Sequence, residues 1–264
     1  MNINELTKLL APTECKVQCV EQTGSTNTDL LIAARAGDVD RPILRYAQVQ
    51  TAGRGTRGRS WTSHEGCITM SVAVPIGDSL NAFAGASLAI GAHIVERLRH
   101  FGFDACIKWP NDILLGNGKL AGILVESAKT PDHQWVLVIG IGFNWKTSDV
   151  QNPSYGISFL SQHGDLGKEL SKREFWVALL AKAVLQAVEE IRFHGLTPTV
   201  MAWDKISAYI AETVNIIQEN VAPYQARILG IDTEGRLLIE HDGQRCALIS
   251  GSIRQLVPDN DCTD

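Results

Sequence analysis

The sequence predicts an α+β fold: a mixed, largely antiparallel sheet flanked by helices over residues 1–212, then a small β-barrel over residues 213–264. Two observations predict it. Between residues 105 and 145, short apolar runs follow one another across tight, glycine-bearing turns, a spacing that suits antiparallel neighbours and leaves no room for crossover helices. Beyond Thr213 the texture changes to five short alternating runs separated by turn residues, the pattern of a small all-β unit.

Each element has its own signal. "KVQCVEQ" (16–22) reads as a strand, and "STNTDLLIAARAG" (25–37) as a short helix with Thr26 and Asp29 in capping-box spacing and Gly37 as its stop. "ILRYAQVQ" (43–50) and "CITMSVAVP" (67–75) are β-rich strands flanking a glycine- and arginine-bearing loop. Apolar residues at helical spacing predict one long buried helix over 79–102. "ACIKW", "DILL", "KLAGILVES" and "HQWVLVIGIGFNW" are consecutive strands, residues 147–168 a long polar loop, and 172–195 and 197–210 two helices.

Composition narrows the partners. The chain has 264 residues and a net charge of −5, from 24 basic and 29 acidic side chains, so it carries no global field for a polyanion and any anion site must be local. The N-terminus lacks a basic n-region with an apolar h-region, and no apolar run reaches a membrane span, so neither a signal peptide nor a membrane partner is expected. Six dispersed cysteines, with no C-x-x-C and no paired histidines, read as reduced thiols of a cytoplasmic protein rather than a disulfide framework or zinc site.

Three segments carry chemistry. "TAGRGTRGRSWTS" (51–63) contains the dinucleotide glycine spacing at Gly53, Gly55 and Gly58, but no helical period follows Gly58, and the fingerprint needs a helix N-terminus to hold pyrophosphate. The glycines read instead as hinges, and Arg54, Arg57 and Arg59 as planar donors for phosphate or carboxylate, with Trp61 placed to cover an aromatic ligand. In "KWPNDILLGNGKLAGILVE" (108–126), Lys108 and Lys119 flank a tight pair of strands, and Asn111 and Asp112 follow Pro110 in a turn. Taken singly these are ordinary turn residues and snorkelling lysines; together they place cations beside glycines that leave space. "VIGIGFNW" breaks a core strand with Gly140 and Gly142, a mark of close ligand approach, and ends on Asn144.

In their order and spacing, "GSTNTDL", "QTAGRGTRGRSW", "KWPNDILL", "KLAGILVE" and "GIGFN" resemble the biotin protein ligases, with motifs over roughly residues 20–145. The resemblance implies a catalytic domain related to class II aminoacyl-tRNA synthetases, followed by an SH3-like domain. It implies ATP-dependent biotinylation of a lysine on a biotin carboxyl carrier domain, of acetyl-CoA carboxylase or a related carboxylase, through biotinyl-5′-AMP with Mg²⁺. Carried over residue by residue, biotin would be bound by Ser25, Thr26, Asn27, Gln50, Gly53, Arg54, Gly55, Thr56, Lys119, Gly122 and Gly142. ATP would be bound by Arg54, Arg57, Arg59, Trp61, Lys108, Asn111 and Asn144. Lys119, Arg54 and Asp112 would be catalytic, with Asp112 also the candidate metal ligand. The chain departs from the family at Thr56, where arginine is frequent, and at Gly24, where aspartate is common; the first bears on how firmly the intermediate is held. Only about twenty residues precede the motifs, so no winged helix and no DNA binding are expected, while a homodimer is allowed. The rival readings are a lipoate ligase or lipoyl/octanoyl transferase, which should lack the arginine loop before "KWPND", and a nucleotide- or RNA-binding module, which the acidic charge disfavours.

Overall fold

The computed structural model describes residues 1–147 and 156–256. Seven strands form one sheet in the order β1-β2-β3-β7-β6-β5-β4: β1 (Lys16–Thr23), β2 (Ile43–Gln50), β3 (Cys67–Gly77), β4 (Ala105–Lys108), β5 (Asp112–Leu115), β6 (Gly118–Lys129) and β7 (Trp135–Asn144). Only β1 and β2 run parallel, because helix α2 (Thr26–Ala36) crosses between them; every other neighbour pair is antiparallel.

The two faces differ. Helix α2 covers one with Leu30, Leu31 and Ala34 against Ile43, Ala73, Val136 and Val138. Against the other lie α1 (Ile3–Leu10), α3 (Ala86–His100) and α5 (Arg173–His194), sharing one core with Met70, Ile139, Ile141 and Phe143. Trp176 of α5 is fully buried and stacks on Phe143 of β7 at a centroid distance of 5.6 Å. Alternation along β3, β6 and β7 assigns side chains to these two faces, with period two, as expected from their sequences.

Several expectations are corrected. The long helix over 79–102 is interrupted: a 3₁₀ turn spans Asn81–Phe83, Gly85 adopts φ +74°, and the α-helix begins only at Ala86. Gly85 lies against Leu196 and Gly235, and a β-carbon there would approach Leu196 to 2.8 Å, so close packing explains the break. Helix α2 is capped one residue earlier than expected. The Ser25 hydroxyl accepts from the Thr28 amide, while Asp29 receives Thr23 and Arg45 instead. Gly37 closes that helix in the left-handed region, as its position predicted. The polar stretch 147–168 contains a 3₁₀ turn at Leu160–Gln162 and the start of α4 (Gly167–Leu170); its residues 148–155 lie outside the described ones.

Helix α6 (Thr197–Ile206) is shorter than its apolar pattern and leads to five C-terminal strands: β8 (Thr213–Ile217), β9 (Tyr224–Ile231), β10 (Leu237–His241), β11 (Gln244–Leu248) and β12 (Ser252–Gln255). They form one antiparallel sheet, β11-β10-β9-β8-β12. Its inward residues Val214, Ile216, Ala226 and Ile253 belong to the same apolar cluster as Trp203 and Ile206 of α6.

Candidate active site

On the α2 side of β7 the residues run Val136, Val138, Gly140, Gly142, Asn144. The valines lie under α2; where the helix ends, the strand loses its side chains. Gly142 pairs with Gly122 of β6, and Thr69 and Asp112 extend the same register row on β3 and β5. A bare floor two strands wide therefore lies between polar walls. Trp61 occupies it: a β-carbon on Gly142 would sit 2.2 Å from the indole. The Trp61 indole N–H is buried and has no hydrogen-bond partner among the described residues, an arrangement that costs about 1–3 kcal/mol.

The arginine loop enters over this floor. Its start prolongs the parallel ladder, with Thr51 and Ala52 amides donating to Thr23 and Gly24 carbonyls. It then doubles back as a small hairpin in which the Gly55 amide donates to the Arg59 carbonyl and the Trp61 amide to the Gly53 carbonyl. Only a three-residue 3₁₀ turn, Thr56–Gly58, follows Gly55 and no α-helix begins at the glycines, in keeping with rejection of the dinucleotide reading. Arg54 pairs with Glu126 at 2.7 Å. Arg57, at φ +58°, donates to the Gly251 carbonyl between β11 and β12 at 2.5 Å. Arg59 folds onto Thr56, donating to both its carbonyl and its hydroxyl.

At the far edge of the floor stands Lys119. Its ammonium is 2.6 Å from Asp112 and 5.5 Å from the Trp61 ring centroid. Its backbone is fixed on both sides: the amide donates to Gly156, and the carbonyl accepts from the Ser158 amide and the Asn144 side chain. Asn144 also accepts from the buried Cys67 thiol, which burial pushes up to about 12 and which is thus no nucleophile at neutral pH. Asn111 is buried, its amide spent on the Ile123 carbonyl, so it anchors the turn. Burial holds the Lys108 ammonium below the usual lysine range, and the positive field of Lys119, Arg59 and Arg254 acts in the same direction against Asp112.

At the other edge, Thr26 donates its amide and hydroxyl to Gln50, Ser71 bridges Thr26 and Asn27, and the Asn27 amide donates to Glu126. Of the residues expected from the sequence, Thr26, Asn27, Gln50, Arg54, Trp61, Asp112, Lys119 and Asn144 thus lie around one floor, whereas the side chains of Ser25, Arg57, Arg59 and Asn111 are engaged by backbone groups. Ser71, Glu126 and Arg254 were not among them. A sequence signal existed for Glu126, which closes the "KLAGILVE" run, and for Ser71, a polar residue on the α2 side of a buried strand; none existed for Arg254.

Residues 19–144 match the model of the Biotin/lipoate A/B protein ligase family. The chain is 35% identical over 222 residues to the bifunctional ligase/repressor BirA of Escherichia coli, covering 83% of this chain and 67% of that one. To the biotin–[acetyl-CoA-carboxylase] ligase of Mycobacterium tuberculosis it is 31% identical over 251 residues, covering 91% and 89%. Its fold is similar to that of a biotin protein ligase from Aquifex aeolicus solved in complex with biotin and ATP, with TM-score 0.72, 23% identity and coverage of 90% and 97%. These likenesses, together with a glycine floor bounded by Lys119 and the arginine loop, show that the chain belongs to the biotin protein ligase family.

Proposed function

We propose that the chain is an ATP-dependent biotin–carrier-protein ligase working at the glycine floor. A biotin carboxylate oxygen attacks the α-phosphorus of ATP, the bond to the β-phosphate oxygen breaks, and pyrophosphate leaves. The ε-amine of a carrier-domain lysine then attacks the acyl carbon of biotinyl-5′-AMP and AMP departs. The first step brings two anions together, and the second breaks the acyl–phosphate bond, releasing AMP and a proton from the attacking amine, so positioning and charge neutralisation do most of the catalytic work. The observation that carries the reading is Lys119, its backbone fixed at the floor's edge beside Lys108, Arg59 and Arg254, in a chain of net charge −5.

In this reading Thr26, Asn27 and Gln50 form the ureido end of the biotin site, and Lys119 bridges the biotin carboxylate and the α-phosphate. Lys108, Arg57 and Arg59 face the phosphates, and Trp61 and Asn144 the adenine. Trp61 must leave part of the floor as ligand enters, which would give its buried N–H an acceptor. Mg²⁺ enters as the Mg–ATP complex, part of the substrate. Among the described residues Asp112, beside Lys119, is the carboxylate proposed to join it, and sharing of the ion with substrate phosphates is ordinary for magnesium. Among the described residues no cluster of three or more His, Cys, Asp or Glu side chains could hold a metal alone. The acceptor is a carrier domain of acetyl-CoA carboxylase or a related carboxylase, and residues 1–212 and 213–264 are proposed as catalytic and accessory units.

The test is pyrophosphate exchange into ATP with biotin, then transfer to a purified carrier domain. Exchange and transfer with biotin alone are expected. Equal turnover with lipoate or octanoate would overturn the reading in favour of the lipoyl branch.

A further inference from the structure

A single carboxylate ties the two walls of the site together. Glu126 projects from β6 on the α2 side, two residues beyond Leu124 and opposite Val138 of β7. Its Oε1 receives the Arg54 guanidinium at 2.7 Å, and its Oε2 receives the Asn27 amide nitrogen at 3.0 Å. Arg54 belongs to the loop and Asn27 to the first turn of α2, so Glu126 joins segments that share no covalent neighbour. It is 22% exposed, and Arg54 45%, which leaves the ion pair modest as a source of stability.

The consequence is directional. With its nitrogen held by Glu126, the Asn27 amide must present its oxygen to Ser71, whose hydroxyl donates to it at 2.5 Å. Ser71 has one proton, so it accepts at its 2.6 Å contact with Thr26, and the single Thr26 hydroxyl proton is shared between Ser71 and the Gln50 oxygen at 3.0 Å. The Thr26 backbone amide in turn fixes the Gln50 oxygen at 2.8 Å. Proton directions thus run from Thr26 through Ser71 and Asn27 to Glu126, and the terminal acceptor sets every orientation before it. Gln50, the last residue of β2, and Arg54 stand at the two ends of this network, four residues apart, so the network grips the entry to the loop.

We propose that Glu126 is a positioning residue for biotin: acting through Arg54 and Asn27, it latches the arginine loop to the start of α2 and orients the ureido end of the pocket. This rests on the reading of the site as a biotin site, and the latch itself does not. A glutamine at 126 keeps the shape but offers one acceptor oxygen where two are used, so either Arg54 or Asn27 meets an amide N–H. Loss of the ion pair frees the loop, and reversal of the Asn27 amide misaligns Ser71 and Thr26.

Two measurements on the full chain test it. In the ligand-free protein, trypsin should cut after Arg54, Arg57 or Arg59 at least fivefold faster in Glu126→Gln than in the parent, with the melting temperature nearly unchanged. Equal cleavage overturns the latch. In pyrophosphate exchange, Glu126→Gln should raise KM for biotin about tenfold, with KM for ATP and kcat within about twofold. A uniform loss in all three, or none, overturns the positioning role. Arg54→Ala should reproduce the trypsin sensitivity at Arg57 and Arg59, and the double variant should be cut there little faster than either single one, since both remove the same ion pair. Absence of exchange in the parent protein would sink the ligase reading, while the trypsin comparison would still decide the latch.

Discussion

At the scale of single residues, the proposed chemistry depends on cations, the half-buried Lys108 and the more open Lys119. Lys119→Ala should slow biotin-dependent pyrophosphate release at least tenfold, about 1.4 kcal/mol of transition-state stabilisation, and leave Asp112 without its 2.6 Å partner. Unchanged release would make Lys119 a turn lysine. Lys108 offers a pH test. Burial, seconded by neighbouring cations, lowers its pKa below the 10.5 of an ordinary lysine. Between the folded and unfolded values the unfolded chain holds more protons, so raising pH through that window favours the fold while removing a charge proposed to face phosphate. KM for ATP should accordingly rise on the alkaline side before pH 10.5, and Lys108→Met should flatten that rise. A KM indifferent to pH in the parent protein would remove Lys108 from the phosphate site.

Among elements, α5 does most to hold the floor level from beneath. Trp176 lies fully buried with Phe143 stacked on it and Phe101, Phe103 and Phe175 edge-on around it. Trp176→Ala should cost about 3–5 kcal/mol, read as a lowered urea midpoint, because the cavity beneath β7 cannot collapse fully. A change below about 1 kcal/mol would show that the aromatic cluster repacks. Elements of this kind were legible in the sequence, since period-two strands and a long apolar helix advertise their faces. The break at Gly85 was not, because its cause is Leu196 and Gly235, over a hundred residues away. Helix α1 was legible in principle: Asn2 caps it by accepting from Glu5, and Leu6 and Leu10 are buried. The glycines of the floor announced an approach, but not that Trp61 would lie on them. Ser71 and Glu126 join the site through side-chain contacts from β3 and β6 to the start of α2 and to the arginine loop; their polarity was visible in the sequence, but those partners were not.

For the whole molecule, the two proposed units share their interior. Val214 and Ile216 lie in one cluster with Trp203 and Ile206, the Trp109 indole donates to the Gly235 carbonyl at 2.9 Å, and Arg57 reaches Gly251. A chain ending at residue 212 should therefore melt about 10 °C or more below the parent or lose its cooperative transition, as exposure of several kcal/mol of apolar core requires. An unchanged melting temperature would show the C-terminal sheet to be an independent appendage. No helix among the described residues is long and apolar enough to cross a membrane.

The bare strip where Gly122 faces Gly142 carries an evolutionary implication. A surface of backbone alone discriminates only by thickness, so it accepts any flat or slender acyl group equally. In the proposed reading, choice of cargo then falls to the rim, on residues outside the strip such as Thr26, Asn27, Gln50 and Lys119. Such a division lets descent alter the cargo by editing the rim while leaving the floor, and the chemistry performed on it, alone.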